Sequence, residues 1–374
     1  MELRDALKNI YKNLEKFNFS KEQEKALYDY GKMFSGNDKL LEKAERYYKM
    51  IFPGGNAAEA LPPESDGNEN GMLFAVIFLV RCELFGDALE KDGIPAEYAK
   101  HGIWHYKNLF EKNKNCYGSY GFCGMYRSGM IKYIKPKTFT LERLSFEMDV
   151  FSGPYEVYKN KKNGNLVPIA GNAQRYLKNG KPAPKDAAEF FETTLYDKDI
   201  TEGYTFNDDG TLNFNIVRLD KTEYEKVIAK GDNVISVHIP EMGRMTPESV
   251  QKSFEKAIKF FGEYYGEKHF KAFICSSWLL DTGLKSFLNS QSNIIKFQQN
   301  FRIVLSFVNT FSIYWHIFGV EKFVPYSELV PKNDFQKKIL DYVINGGNLY
   351  SGNGFRGCLK SLTKIEDEKS SIFL

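Results

Sequence analysis

The stretch GDNVISVHIPEMGRMTPESVQKSFEKAIKFFGEYY, residues 231–265, decides how the rest of this chain is read. Residues 233 to 239 alternate, with Ile235, Val237 and Ile239 on one face and Val234, Ser236 and His238 on the other. Both faces are largely apolar, as a central strand requires. Pro240 ends the strand. Thr246 then suits a helix N-cap, Pro247 the first helical position and Glu248 the first turn. Val250, Phe254, Ala257, Ile258, Phe261 and Tyr265 recur as one apolar stripe, so an amphipathic helix follows. The connecting residues Met242, Gly243, Arg244, Met245 and Thr246 offer main-chain N–H groups, one glycine and one guanidinium. That combination can hold an anion at a helix N-terminus. The alternative is an ordinary strand-to-helix turn, since one glycine is a weak signal and Glu241 and Glu248 would repel a phosphate.

Working outward, Lys271–Ser277 predicts a second strand, leading through Trp278–Asp281 into a helical stretch over residues 284–301 with Ser292-Asn293 as a cap. Arg302–Val308 predicts a third strand. Upstream, residues 139–150 are rich in strand formers, with Leu144, Phe146 and Met148 alternating against Ser145, Glu147 and Asp149. Residues 203–217 predict a hairpin turning at Asp209-Gly210. The Lys-, Asn- and Gly-rich residues 159–185 read as a surface excursion, and residues 345–354 as glycine turns near the C-terminus that resemble a phosphate cradle without a Walker ending. Tyr314–Phe318 reads as strand-like, with His316 in a core or pocket lining.

Residues 1–138 have a different grammar. Leu3, Leu7, Ile10, Tyr11 and Leu14 keep helical spacing, and Ser20-x-x-Gln23 resembles a capping box. Residues 37–51, the apolar run from Gly71 and the segment after Ile94-Pro95 supply further helices, separated by Pro/Gly loops at 53–56 and 62–67. The fold class is therefore α+β (mixed α/β), with a helical domain over 1–138 and a mixed-sheet domain over 139–374. The tail over residues 365–371 reads as mobile.

The 374 residues carry a net charge of +3 with both signs dispersed, which argues against a dedicated nucleic-acid protein. With 43% hydrophobic residues a packed core is feasible, yet the longest apolar run, Met72–Val80, is too short to span a bilayer. The charged N-terminus lacks the apolar centre of a signal peptide, so a soluble, cytoplasmic protein is expected. The 5 cysteines are odd in number and form no CxxC pair, which points away from structural zinc and from a disulfide framework. His101 and His105 can share a helix face, but with His269 they make no convincing metal site, and no metal is expected.

The order strand, loop, helix, strand, helix, strand resembles the GNAT acyltransferase fold. More narrowly, the chain resembles a bacterial acyltransferase family that joins a helical N-acyltransferase N-terminal domain to a GNAT-like C-terminal domain. The matching residues are 143–147, 231–240, 273–281, 292–297 and the glycines from Gly346 to Gly354. The resemblance implies acyl-CoA as co-substrate and transfer of the acyl group to an amine of a small molecule or peptide by direct attack. It also implies that the two central strands part beside a pyrophosphate loop, at positions matching His238 and Cys275, with Met242 to Thr246 as that loop. The usual Arg/Gln-x-x-Gly-x-Gly/Ala motif is absent, only Gly243-Arg244 standing near it. Hence a non-catalytic GNAT-like ligand-binding protein is the alternative.

Direct transfer needs a base for the amine, donors for the thioester oxygen and an acid for the leaving thiolate. His238 is a candidate base or a core histidine with satisfied nitrogens. Glu241 is the alternative base or a solvated loop carboxylate. Cys275 is a candidate nucleophile or a buried thiol. Ser276 and Ser277 are candidate donors to the leaving group. Glu147 either points into the cleft or pairs with Arg143. The sequence leaves the oligomeric state open.

Overall fold

The computed structural model describes residues 2–52, 70–135, 137–320 and 323–357. The chain divides into two compact units, Met1–Thr140 and Leu141–Leu374.

The first unit is helical: Leu3–Asn9, Lys21–Lys32, Asp38–Ile51, Gly71–Lys91, Lys100–Tyr117 and Gly124–Tyr133. Ser20 accepts from the Gln23 main chain while the Gln23 side chain answers the Ser20 N–H, so the capping box forms in full. Asn37 caps the next helix through Leu40. The helix Gly71–Lys91 is apolar on every side along Met72–Val80 and is accordingly buried over Leu73–Val80. Its rings sit among Tyr47, Tyr106, Phe110 and Phe122. His105, on Lys100–Tyr117, is buried, stacks on Tyr133 and meets the Thr140 hydroxyl at 3.2 Å. Burial pushes the pKa of its imidazole down to about 3, so the ring is neutral at ordinary pH. No helix among the described residues is long and apolar enough to cross a membrane.

The second unit is built on a six-stranded sheet in the order β1-β2-β11-β12-β14-β13. Its strands are β1 (Thr138–Leu141), β2 (Leu144–Val150), β11 (Asn233–His238), β12 (Phe273–Ser277), β13 (Arg302–Val308) and β14 (Tyr350–Arg356). β1 straddles the division between the units. β11 and β12 run parallel; β2–β11, β12–β14 and β13–β14 are antiparallel. The helix Pro247–Tyr265 begins at Thr246, whose hydroxyl accepts from the Ser249 N–H. It packs on one sheet face through Phe254, whose ring meets those of Phe146, Phe273 and Phe301.

Residues 151–230, between β2 and β11, form a β insertion on the opposite face. Its neck is closed by Phe151 N–H to Asp232 O at 2.8 Å and Gly231 N–H to Phe151 O at 3.0 Å. It contains β3 (Tyr155–Asn160), β4 (Leu166–Ala170), β5 (Arg175–Tyr176), β6 (Phe191–Glu192), β7 (Tyr196–Asp197), β8 (Ile200–Phe206), β9 (Leu212–Asp220) and β10 (Tyr224–Ile228). Tyr155, Val157, Phe206 and Ile228 from the insertion share a core with Val234, Ile274 and Phe355 of the sheet.

Three expectations are corrected. Residues 159–185 are no mere excursion: β4 pairs with β3 and buries Pro168, Ile169 and Ala170. Residues 350–356 are not turns but β14, lodged between β12 and β13. A Cβ at Gly352 would come within 2.5 Å of the Leu280 carbonyl oxygen, and one at Gly354 within 2.8 Å of the Phe301 Cβ. Those glycines serve close approach of chain segments, not a phosphate cradle. Residues 313–318 form a π-helical turn rather than a strand, burying Ile313, Tyr314, Ile317 and Phe318.

Candidate active site

β11 holds register with β2 as far as His238↔Ser145, and β12 holds register with β14 as far as Ser277↔Gly352. Between β11 and β12, however, the register ends at Ser236↔Ile274. Both parallel strands therefore continue past the point where their mutual ladder stops, and a notch opens between them. Main-chain direction alternates along a strand. Because Ile235 N–H donates to the Ala272 carbonyl across this ladder, Val237 C=O and Ser276 N–H form the next rung, which is not made.

Register also decides which side chains share the notch. Val234, Ser236 and His238 stand opposite Asp149, Glu147 and Ser145 on one face. Ile274 and Ser276 continue that face on β12, and Asn353 and Phe355 on β14. Glu147, 8% exposed, reaches diagonally to His238, with Oε2 at 2.9 Å from Nε2. Such a carboxylate orients the imidazole and stabilises its protonated form. The neighbouring Ser236 hydroxyl donates to Asp149 at 2.8 Å.

A cleft of about 700 Å³ opens on this face beneath the β insertion. His238, Ser236, Ser276, Asp149, Tyr155 and Asn353 are among its lining.

The candidates drawn from sequence separate accordingly. His238 and Ser276 line the cleft. Glu147 pairs with His238 and not with Arg143, whose guanidinium donates to the Pro240 carbonyl at 2.8 Å. Burial lowers the Arg143 pKa. Cys275 lies one residue off the cleft parity, fully buried on the helix-covered face, and burial pushes its thiol up to about 12. A thiol so placed is a poor nucleophile. Cys275→Ala is accordingly expected to retain turnover within about twofold and to cost stability of order 1 kcal/mol; a rate loss beyond tenfold in a folded variant would reinstate the thiol.

Glu241 is exposed, just past the strand end. Gly243, at φ 41°, and Arg244 are exposed, Met242 is half-buried, and the buried Met245 anchors the loop. Part of the anion-binding capacity of the helix start is already used. Thr246 takes the Ser249 N–H. Glu248 is held below its usual range by its own main-chain N–H and by Thr246. Asp149, Tyr155 and Asn353 were not singled out from sequence. The polar parity of β2 signalled Asp149, whereas Asn353 sits in a segment whose strand character its glycines conceal. Among the described residues no three His, Cys, Asp or Glu side chains cluster as metal ligands.

Residues 206–356, which include β11, the helix, β12, β13 and β14, match the model of a GNAT-like C-terminal domain. This part of the chain is a GNAT-like C-terminal domain. No curated protein matches the chain. Among solved structures, an acyltransferase mutant in complex with octanoyl-CoA is 15% identical, with a TM-score of 0.61 over 92% of this chain and 86% of that one. An acyltransferase in complex with decanoyl-CoA and teicoplanin is 16% identical, with a TM-score of 0.61 over 92% and 85%. At such identity the likeness is one of fold. The GNAT-like domain thus shares an architecture with enzymes solved with acyl-CoA.

Proposed function

We propose that the protein is an acyl-CoA-dependent acyltransferase that moves an acyl group from coenzyme A to an amine of a small molecule or peptide by direct attack. The observation that carries this reading is the unmade rung between β11 and β12, with the His238–Glu147 pair at its lip and the cleft beyond. The thioester lies in the notch, where the Ser276 N–H can donate to its carbonyl oxygen. The amine enters from the cleft. His238 takes the amine proton, directly or through one water, while Glu147 steadies the imidazolium. The amine nitrogen bonds to the carbonyl carbon, the carbon–sulfur bond breaks, and the thiolate leaves with a proton as free coenzyme A. Ser276 is the candidate donor for that proton, recovering one from the His238 imidazolium through water so that both side chains return to their starting state, and Glu241 is the second candidate base. Gly243, Arg244, Met245 and Thr246 hold the pyrophosphate through main-chain N–H groups and the Arg244 guanidinium, while Met242, whose N–H donates to the Pro240 carbonyl at 2.8 Å, shapes the loop. The fold neighbours solved with octanoyl-CoA and decanoyl-CoA recommend medium-chain donors. The neighbour solved with teicoplanin recommends large polar amine acceptors.

The poor loop favours a second reading, a GNAT-like protein that binds a ligand without catalysis. Calorimetric titration with acetyl-CoA and octanoyl-CoA separates the two. Binding that weakens about tenfold in Arg244→Ala, the loss of one charge-assisted contact, is the expected result. Binding of neither thioester would reject acyl transfer in favour of the second reading.

A further inference from the structure

Asn353 is a side chain that neither the family match nor the chemistry above employs. It stands on β14 directly opposite Ser276, facing the cleft. Behind it lies Tyr155, 2% exposed, on β3 of the insertion. The Tyr155 hydroxyl donates to Asn353 Oδ1 at 2.8 Å. An amide has one acceptor end and one donor end. With its oxygen engaged by Tyr155, the carboxamide presents its nitrogen as the donor end, and Nδ2 has no protein partner among the described residues. Burial raises the Tyr155 pKa far above the usual phenol range, so the hydroxyl keeps the proton it donates to Oδ1. The insertion thus orients, through Tyr155, a donor that β14 of the sheet presents to the cleft.

Resting on the acyltransfer reading, we propose that Asn353 selects the acceptor, donating through Nδ2 to an oxygen carried close to the attacking amine. Ser276 marks the edge of the notch, and directly opposed side chains on neighbouring strands lie about 5 Å apart. After a hydrogen bond of about 3 Å, that separation places the recognised oxygen two or three bonds from the amine nitrogen. The substrate class is an amine with a hydroxyl or carbonyl oxygen at that distance, as in an amino alcohol or an amino amide. A bare alkylamine leaves the Nδ2 donor unsatisfied, a cost that a polar site imposes on an analogue lacking the matching group.

The test is steady-state acyl transfer from octanoyl-CoA to 2-aminoethanol, glycinamide and n-propylamine. It uses the full chain and its Asn353→Asp and Tyr155→Phe variants. Aspartate keeps the size of the side chain and still accepts from Tyr155, but offers an oxygen where Nδ2 stood. Expected is a preference of about tenfold in kcat/KM for at least one oxygenated amine in the parent protein. It falls to about one in Asn353→Asp and partway in Tyr155→Phe. Preference for the alcohol alone or the amide alone identifies which oxygen is read. Transfer without preference, or a preference that survives Asn353→Asp, overturns this assignment and leaves acyltransfer standing. Absence of transfer to all three amines overturns this assignment, and the calorimetric titration with octanoyl-CoA then decides separately whether acyltransfer stands.

Discussion

His238→Ala is expected to lower kcat for acyl transfer by about 10²–10⁴-fold, the range a positioned general base contributes. The KM for acyl-CoA should change little, because the loop over residues 242–246 is untouched. His238→Gln provides the control for structure. Its amide can still meet Glu147, whose Oε2 lies 2.9 Å from His238 Nε2, but it cannot carry the proton. Both variants should be equally slow and similarly stable. If His238→Gln retains more than a tenth of the parent rate, the imidazole is a packing element and Glu241 becomes the base to test. The measurement is initial rate of coenzyme A release at saturating donor, paired with thermal denaturation of each variant.

The second large effect falls on stability. Gly352→Ala places a methyl group 2.5 Å from the Leu280 carbonyl oxygen and 2.6 Å from the Leu280 Cβ. The Leu280 main chain does not yield easily. It ends the short turn Trp278–Leu280 that follows β12, and the next residue, Asp281, accepts from both the Gly283 N–H and the Tyr350 N–H at 2.8 Å. That carboxylate staples the turn to the first residue of β14. Overpacking there should cost about 2–3 kcal/mol, lowering the melting temperature by roughly 4–12 °C for a domain of this size. A melting temperature within a degree of the parent would mean that the turn and β14 are not locked together.

Much of the fold was legible because its signals are local. The Ser20 capping box, the Thr246 cap with Pro247, the hairpin closing at Gly210 and the parity of β11 are each written within a few residues, and the structure reproduces them. The position of β14 was not legible. It depends on β12 and β13, which are separated from it by tens of residues, and its glycines mimic turn chemistry while serving close approach to Leu280 and Phe301. The polar composition of residues 159–185 likewise concealed β4, since only the pairing with β3 shows which residues turn inward. At the site, parity alone separates Cys275 from Ser276. The Glu147–His238 contact needed one further step, the antiparallel register that lays the polar face of β2 against that of β11. Asn353 needed the insertion as well, because Tyr155 gives its amide a direction.

The place of β14 bears on how the protein is made. A ribosome delivers β11, the long helix, β12 and β13 before it delivers the strand that joins β12 to β13. Until residues 350–356 emerge, both strands wait with raw edges, and the wall bearing Asn353 does not exist. Completion waits for β14, a segment of seven residues that enters between two others already made. Such late, long-range closure is slow, and strand edges left open meanwhile invite association between chains. A nascent chain stalled short of residue 350 would offer quality-control machinery an unfinished sheet.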